Sequence, residues 1–238
     1  MDLEILLILG IAIFCGFFVQ TLVGFAGSLV ALPILLIAIK LPDAIAYVSI
    51  FYLFSSSYLV KKEWKNINKN VILKLTFASV IGVVLGIVVL TCSKPVVLQK
   101  ALGVFILLYI VYALRGQKEI NTNKTVNWVL GALGGFFSGV FSTGGPLYVI
   151  SIKNTVEEIK VFRATMIGVL ALVTIVRVPA LALSGTLTFQ HVKTSLMILP
   201  IFILAQYLGT LLFPKINEVL FKRLLLVLLF FSGIGLIV

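Results

Sequence analysis

The sequence predicts an all-α polytopic membrane protein built from two homologous halves in inverted repeat, each a glycine-interrupted helical hairpin followed by three transmembrane helices. Three observations carry this prediction. Of 238 residues, 61% are hydrophobic and only 11% are charged, against about 25% charged in a soluble domain. Two long uncharged runs, 5–39 and 125–152, hold glycines and polar residues near their middles. Those two runs also resemble each other at a spacing of about 119 residues, half the chain.

Lipid is therefore the solvent for most of the chain, which has room for several spans of roughly 20 apolar residues. It reads as one membrane domain over 1–238, with repeat 1 at about 1–118 and repeat 2 at about 125–238, multi-pass in the cell membrane. The start, Met1-Asp2-Leu3-Glu4, is acidic, whereas a secretory leader begins positive, so the first apolar segment is expected to be retained. A net charge of +11 raises the question of nucleic acid. The Lys and Arg residues lie in short loops between apolar runs, which fits the positive-inside bias and not a nucleic-acid partner. Cys15 and Cys92 stand far apart in or near apolar segments; no metal or redox spacing is present, and no cofactor is expected.

The elements follow in order. The run 5–39 is too long for one span and too short for two with a turn. Its middle carries Gly16-Phe17-Phe18, Gln20, Thr21, Gly24 and Ala26-Gly27-Ser28, so it is read as a hairpin whose second arm covers about 26–39. Three crossings follow at roughly 44–61, 70–92 and 96–114. The run 125–152 repeats the pattern more sharply: 134–146 reads GGFFSGVFSTGGP, with a second arm at 146–153. The uncharged runs after it, 164–176, 178–192, 194–214 and 224–238, supply the second set of crossings. Weaker matches pair Gly86 with Gly209, and Val97-Leu98-Gln99-Lys100 with Val219-Leu220-Phe221-Lys222. A pair of glycine-interrupted segments in matching places is a pointer to a transporter's binding site.

Charge orients the halves. With each interrupted run a hairpin, three crossings per half invert the second half. The loops at Lys61–Lys74, Arg115–Lys124, Lys153–Arg163 and Lys215–Arg223 then share one side, with Lys40, Lys94, Lys100, Arg177 and Lys193 on the other: fourteen cations against five. With each run a single crossing, eight spans result and the bias vanishes. Loop charge is the main determinant of orientation, so hairpins are expected, with both termini outside.

The repeated element Gly135-Phe136-Phe137-Ser138-Gly139 through Gly144-Gly145-Pro146, its degenerate copy at Gly16–Ser28, the duplication and the length together resemble the TauE/SafE family, often called sulfite exporters. The first copy departs from the pattern, with Gln20 for the second glycine and Ser28 for the proline. The resemblance implies a secondary transporter, an exporter, of small sulfur-containing or organic anions such as sulfite, thiosulfate, sulfonates or organic acids. The family is described with about eight spans. Oligomeric state, a homodimer included, stays open.

An oxyanion halfway across a bilayer loses its water, so donors must replace it. Backbone N–H groups at a helix start are unpaired by construction and carry the positive end of the dipole. Gly144-Gly145-Pro146 fits such a start: glycine allows positive φ and close approach, and proline suits the first turn. Ala26-Gly27-Ser28 would be the counterpart. Gln20, Thr21, Ser138, Ser142 and Thr143 complete the expected substrate shell around Gly27, Ser28, Gly144 and Gly145. Gly131, Gly134, Gly135 and Gly139 lie at helical spacing and are read as packing positions. Of Ser55-Ser56-Ser57, at least one is expected to face the interior in a helix–helix hydrogen bond. Arg177 is a functional candidate for attracting or gating the anion on the outer side; with Pro179 and Gly185 marking a nearby helix end, snorkelling to the interface stays open. His191, beside Lys193, is read as interfacial and structural.

All eight carboxylates, Asp2, Glu4, Asp43, Glu63, Glu119, Glu157, Glu158 and Glu218, fall at ends or in loops, so no acidic proton relay is expected. An inside-negative potential alone drives anions out at about 2.3 kcal/mol per charge per 100 mV. An intramembrane serine hydrolase using Ser138 lacks a neighbouring base, so the protein is not expected to be an enzyme. An anion channel is the remaining alternative.

Overall fold

The computed structural model describes residues 3–115, 124–153, 156, 158–213 and 218–237. Of the charges considered above, Asp2, Lys118, Glu119, Glu157 and Lys215 lie outside them. All the described elements are helical. The first five are α1 (Leu3–Val23), α2 (Gly27–Leu35), α3 (Leu41–Glu63, prolonged by a 3-10 turn at Trp64–Asn66), α4 (Lys69–Cys92) and α5 (Pro95–Leu114). The next five are α6 (Lys124–Phe141), α7 (Gly145–Lys153), α8 (Ile159–Leu183), α9 (Phe189–Leu212) and α10 (Glu218–Ile237). Among the described residues, six helices are long and apolar enough to cross a membrane.

Local chemistry sets the boundaries. Proline opens α3 and α5 in the first turn, where no N–H is needed. Asp43 lies in the first turn of α3, with Lys61 and Lys62 in its last, matching the helix dipole. The Asn68 side chain accepts the Val71 N–H at 3.3 Å to cap α4. Thr188 and His191 cap the start of α9 reciprocally. Pro179 does not end α8, which runs on to Leu183; the stop comes after it, where Gly185 takes φ 76°.

Each long run breaks into a longer helix, 21 residues in α1 and 18 in α6, and a nine-residue one, α2 and α7. Nine residues rise about 14 Å, half a bilayer core. The short arm folds back: a methyl group at Gly16 would strike the Gly27 carbonyl and Ala31, and one at Gly134 would strike the Tyr148 ring. Gly16 and Gly134, 118 residues apart, each face their own short arm, whereas Gly135 faces Ser79 of α4.

The long arms are covered by helices from the other part of the chain. α4 lies along α6, and α9 along α1; α3 meets α8, and α5 meets α10. The α4–α6 seam is backbone on backbone. Gly82 sits on the Ala132 carbonyl, Gly86 on that of Phe136, and Gly135 and Gly139 on those of Ser79 and Val83. In the α1–α9 seam Gly209 sits beside the Phe18 carbonyl and the Thr21 side chain. Phe18 and Phe136 are themselves 118 residues apart. Small residues give such close approach in membranes, where lipid supplies no hydrophobic drive between helices. Phe17 fills the space between α1, α3 and α9 edge-on to Tyr52 and Phe202, at centroid distances of 5.3 and 5.2 Å.

Candidate functional site

The two hairpin tips are where the backbone leaves the helix. α1 ends as Gly24 takes φ 87°, and α2 starts after Ala26 at φ 71°. α6 ends as Ser142 takes φ 57°, its N–H bonding the Ser138 carbonyl at 2.9 Å, the single bond of an αL stop, while the Thr143 N–H reaches back to the Phe137 carbonyl at 3.3 Å. The sequence reading assigned positive φ to the double glycine; the structure gives it to Ser142. Gly144 and Gly145 instead provide room. Gly144 is pressed against the Gly134 carbonyl and Ser138 Oγ, and Gly145 lies under the Phe25 ring of the other tip.

The tips touch. The Ser28 hydroxyl donates to the Ser142 carbonyl, and the Ser142 and Ser49 hydroxyls lie 3.5 Å apart. The Tyr52 hydroxyl accepts the Ser28 N–H at 3.2 Å and lies 3.3 Å from Ser28 Oγ. One amide of the expected first cradle is thus already engaged, by a side chain. Tyr52 is the middle residue of α3, so the two half-helix starts converge midway along a membrane-length helix.

Arg177 joins this cluster. Its side chain is buried, 2% exposed. Nη1 donates to the Ser138 carbonyl at 3.2 Å, and the guanidinium lies 5.3 Å from the Tyr52 ring centroid. Arg177 does not snorkel to an interface: α8 continues past it to Leu183 and carries the side chain inward. Its Nε and Nη2 have no hydrogen-bond partner among the described residues, nor has Thr143 Oγ1. Gln20 enters from α1. Its amide nitrogen donates to Ser55 Oγ at 3.2 Å, and Gln206 of α9 donates to the same oxygen at 2.6 Å. Gly27 lies between the Gln20 carbonyl oxygen and the Tyr52 hydroxyl.

Of the expected shell, the structure gathers Gln20, Gly27, Ser28, Ser138, Ser142, Thr143, Gly144, Gly145 and Arg177. Thr21 is not brought in. Its hydroxyl donates to the Phe17 carbonyl at 2.7 Å within its own helix, and its side chain packs on Gly209. Ser57 likewise bonds its own helix and is exposed, whereas Ser55 makes the interhelical bonds. Ser49, Tyr52 and Gln206 were missed. The signal was available for two of them: Ser49, Tyr52 and Ser56 recur at three- and four-residue steps, a polar stripe on one face of α3.

Arg163 was counted as a loop charge and is buried in α8. Nε and Nη2 donate to the Thr21 carbonyl at 3.1 and 2.7 Å, among the last carbonyls of α1. Nη1 pairs with Glu63 at 2.8 Å. Removing Arg163 and Arg177 from the loop count takes one cation from each side and leaves the bias intact. His191 binds Asp43 at 3.2 Å at the start of α3. Tyr52 lies nine residues, about 13 Å, further along, so the imidazole is not brought to Ser138.

Comparison with known proteins adds the following. The family described as "Sulfite exporter TauE/SafE" matches residues 8–236. A protein of Methanocaldococcus jannaschii described as "Probable membrane transporter protein" is 26% identical over 194 residues, covering 74% of this chain and 73% of that one. No solved structure matches.

Proposed function

The chain belongs to the TauE/SafE family, and on that premise we propose that it is a secondary carrier of small oxyanions, sulfur-containing or organic, working by alternating access around the meeting hairpin tips. The observation that carries the reading is the junction of two half-helix starts, Ser28 on Ser142, beside the buried cation Arg177. Half-helices that meet midway are a recurrent transporter site, and non-helical backbone survives at membrane depth only inside protein or beside water. Hydrogensulfite, sulfonates and carboxylates all fit donors of this kind. The carrier sits in the cell membrane, with lipid and the anion as its partners.

We also propose that the two parts of the chain are inverted repeats about an axis in the membrane plane. The element order runs twice, and α4 on α6 is answered by α9 on α1. Rocking one hairpin against the other would open the cluster to each side in turn. The test is transport by protein in liposomes loaded with sulfite, methanesulfonate or acetate. Saturable flux that Gly144→Val or Gly145→Val removes, with the protein still inserted, supports the carrier. Normal flux in both variants refutes the site, and flux that does not saturate indicates a channel.

A further inference from the structure

Resting on that reading, we propose that the site takes a monovalent oxyanion, held edge-on by the Nε–H and Nη2–H of Arg177, and discriminates against dianions by net charge. Three observations converge. First, the engaged nitrogen of Arg177 is Nη1, on the Ser138 carbonyl. The two nitrogens without a partner, Nε and Nη2, form the edge of the guanidinium whose parallel N–H bonds match two oxygens of one carboxylate or sulfonate. A spherical halide satisfies one donor direction; an oxyanion satisfies both.

Second, the cation stands alone. Arginine keeps its charge in proteins, and Arg177 makes no ion pair among the described residues. Of the carboxylates whose side chains are described, Glu63 is held by Arg163 and Asn66, Asp43 binds His191, and Glu4 and Glu158 are exposed. What steadies the charge is a helix end: the Ser138 carbonyl also accepts the Ser142 N–H at 2.9 Å, placing Arg177 at the negative pole of α6. That is a partial charge, so the site has about one positive charge to offer.

Third, the unpartnered Thr143 hydroxyl and the Ser142 hydroxyl lie at the same break, while Ser49 Oγ donates to the Ile45 carbonyl at 2.6 Å. Thr143 and Ser142 carry neutral groups, able to donate to a third oxygen without adding charge. A monoanion bound here leaves the loaded site neutral. A dianion leaves one uncompensated negative charge in a buried site, where an unpaired ion is costly. Methanesulfonate and sulfate have similar oxygen geometry, so charge decides between them.

The test is calorimetric titration of the purified full-length protein with methanesulfonate, sulfate and chloride. Methanesulfonate is expected to bind at least about tenfold more tightly than either, a gap of about 1.4 kcal/mol. Arg177→Gln is expected to lose methanesulfonate binding and Arg177→Lys to weaken it, since lysine keeps the charge but not the fork. Sulfate binding as tight as methanesulfonate overturns this proposal and leaves the carrier standing, as does an Arg177→Gln protein that binds like the wild type. A wild-type protein that binds none of the three, and transports no anion, overturns both readings. The wild-type selectivity decides the matter even if a variant fails to fold.

Discussion

Ser28 and Ser142, 114 residues apart in sequence, are joined by one hydrogen bond from the first hydroxyl to the second carbonyl. That bond links the tips of two hairpins, which also meet through Phe25 on Gly145 and through the side chains of α3. Ser28→Ala leaves the Ser142 carbonyl short of a donor in a buried place, at a cost of about 1–3 kcal/mol. A lowered melting temperature of purified protein, with insertion unchanged, is the expected outcome; an unchanged one denies that the tips are coupled through this bond.

Tyr52→Phe removes the acceptor of the Ser28 N–H while keeping the ring beside Phe17 and Arg177. Loss of one buried bond costs about 1 kcal/mol of stability. Transport should fall by more than the fraction of protein lost, measured as initial flux per inserted molecule. Flux equal to wild type would place Tyr52 outside the working site.

Ala26 holds φ 71°, a left-handed conformation that costs a non-glycine residue about 1–2 kcal/mol. Ala26→Gly should raise thermal stability by up to about 1 kcal/mol, because glycine's greater freedom when unfolded offsets part of the gain. Ala26→Val should lower it. The order Gly, Ala, Val in melting temperature is the check.

Gly82→Ala and Gly139→Ala place a methyl group on backbone atoms of the facing helix. Overpacking costs about 1–3 kcal/mol or more, and neither helix can yield without opening the α4–α6 seam. Gly235→Ala, with open space around it, should be neutral or gain up to about 1 kcal/mol from helix propensity. Detergent-melting curves of the three variants test the contrast.

Arg163→Ala leaves Glu63 without its partner and two donors missing at the end of α1. The pair is only part-buried, so the cost read from melting curves should fall between about 0–1 kcal/mol for an exposed pair and about 3–5 kcal/mol for a fully buried one. Glu63 is the less buried partner, so Glu63→Gln should cost less.

The hairpins and the first three crossings were legible because lipid writes them in runs: charge is excluded from the spans, and glycine with hydroxyls marks the breaks. Arg177 was harder. In the one-dimensional pattern a cation between Val176 and Val178 reads as the edge of a span; only its helix shows that it points inward. Thr21 failed for a related reason, since a hydroxyl one residue along from Gln20 points to a different neighbour and can bond its own helix. Gln206 was invisible because its partner, Ser55, lies 151 residues away. The role of the double glycine was misjudged because sequence shows where glycine is, and not whether it serves torsion or space.

The glycine seams decide which parts travel together. Backbone pressed on backbone in one seam, and Gly209 on Thr21 and the Phe18 carbonyl in the other, leave no layer of side chains to slide over, so α6 is yoked to α4 and α1 to α9. The chain's midpoint is therefore not the machine's dividing line: each hairpin's long arm is carried by a helix encoded on the far side of the linker. Severed there and made separately, either fragment would present an unfilled glycine groove to the bilayer. Made together, the two should find each other and assemble, since the surfaces each lacks are those the other provides.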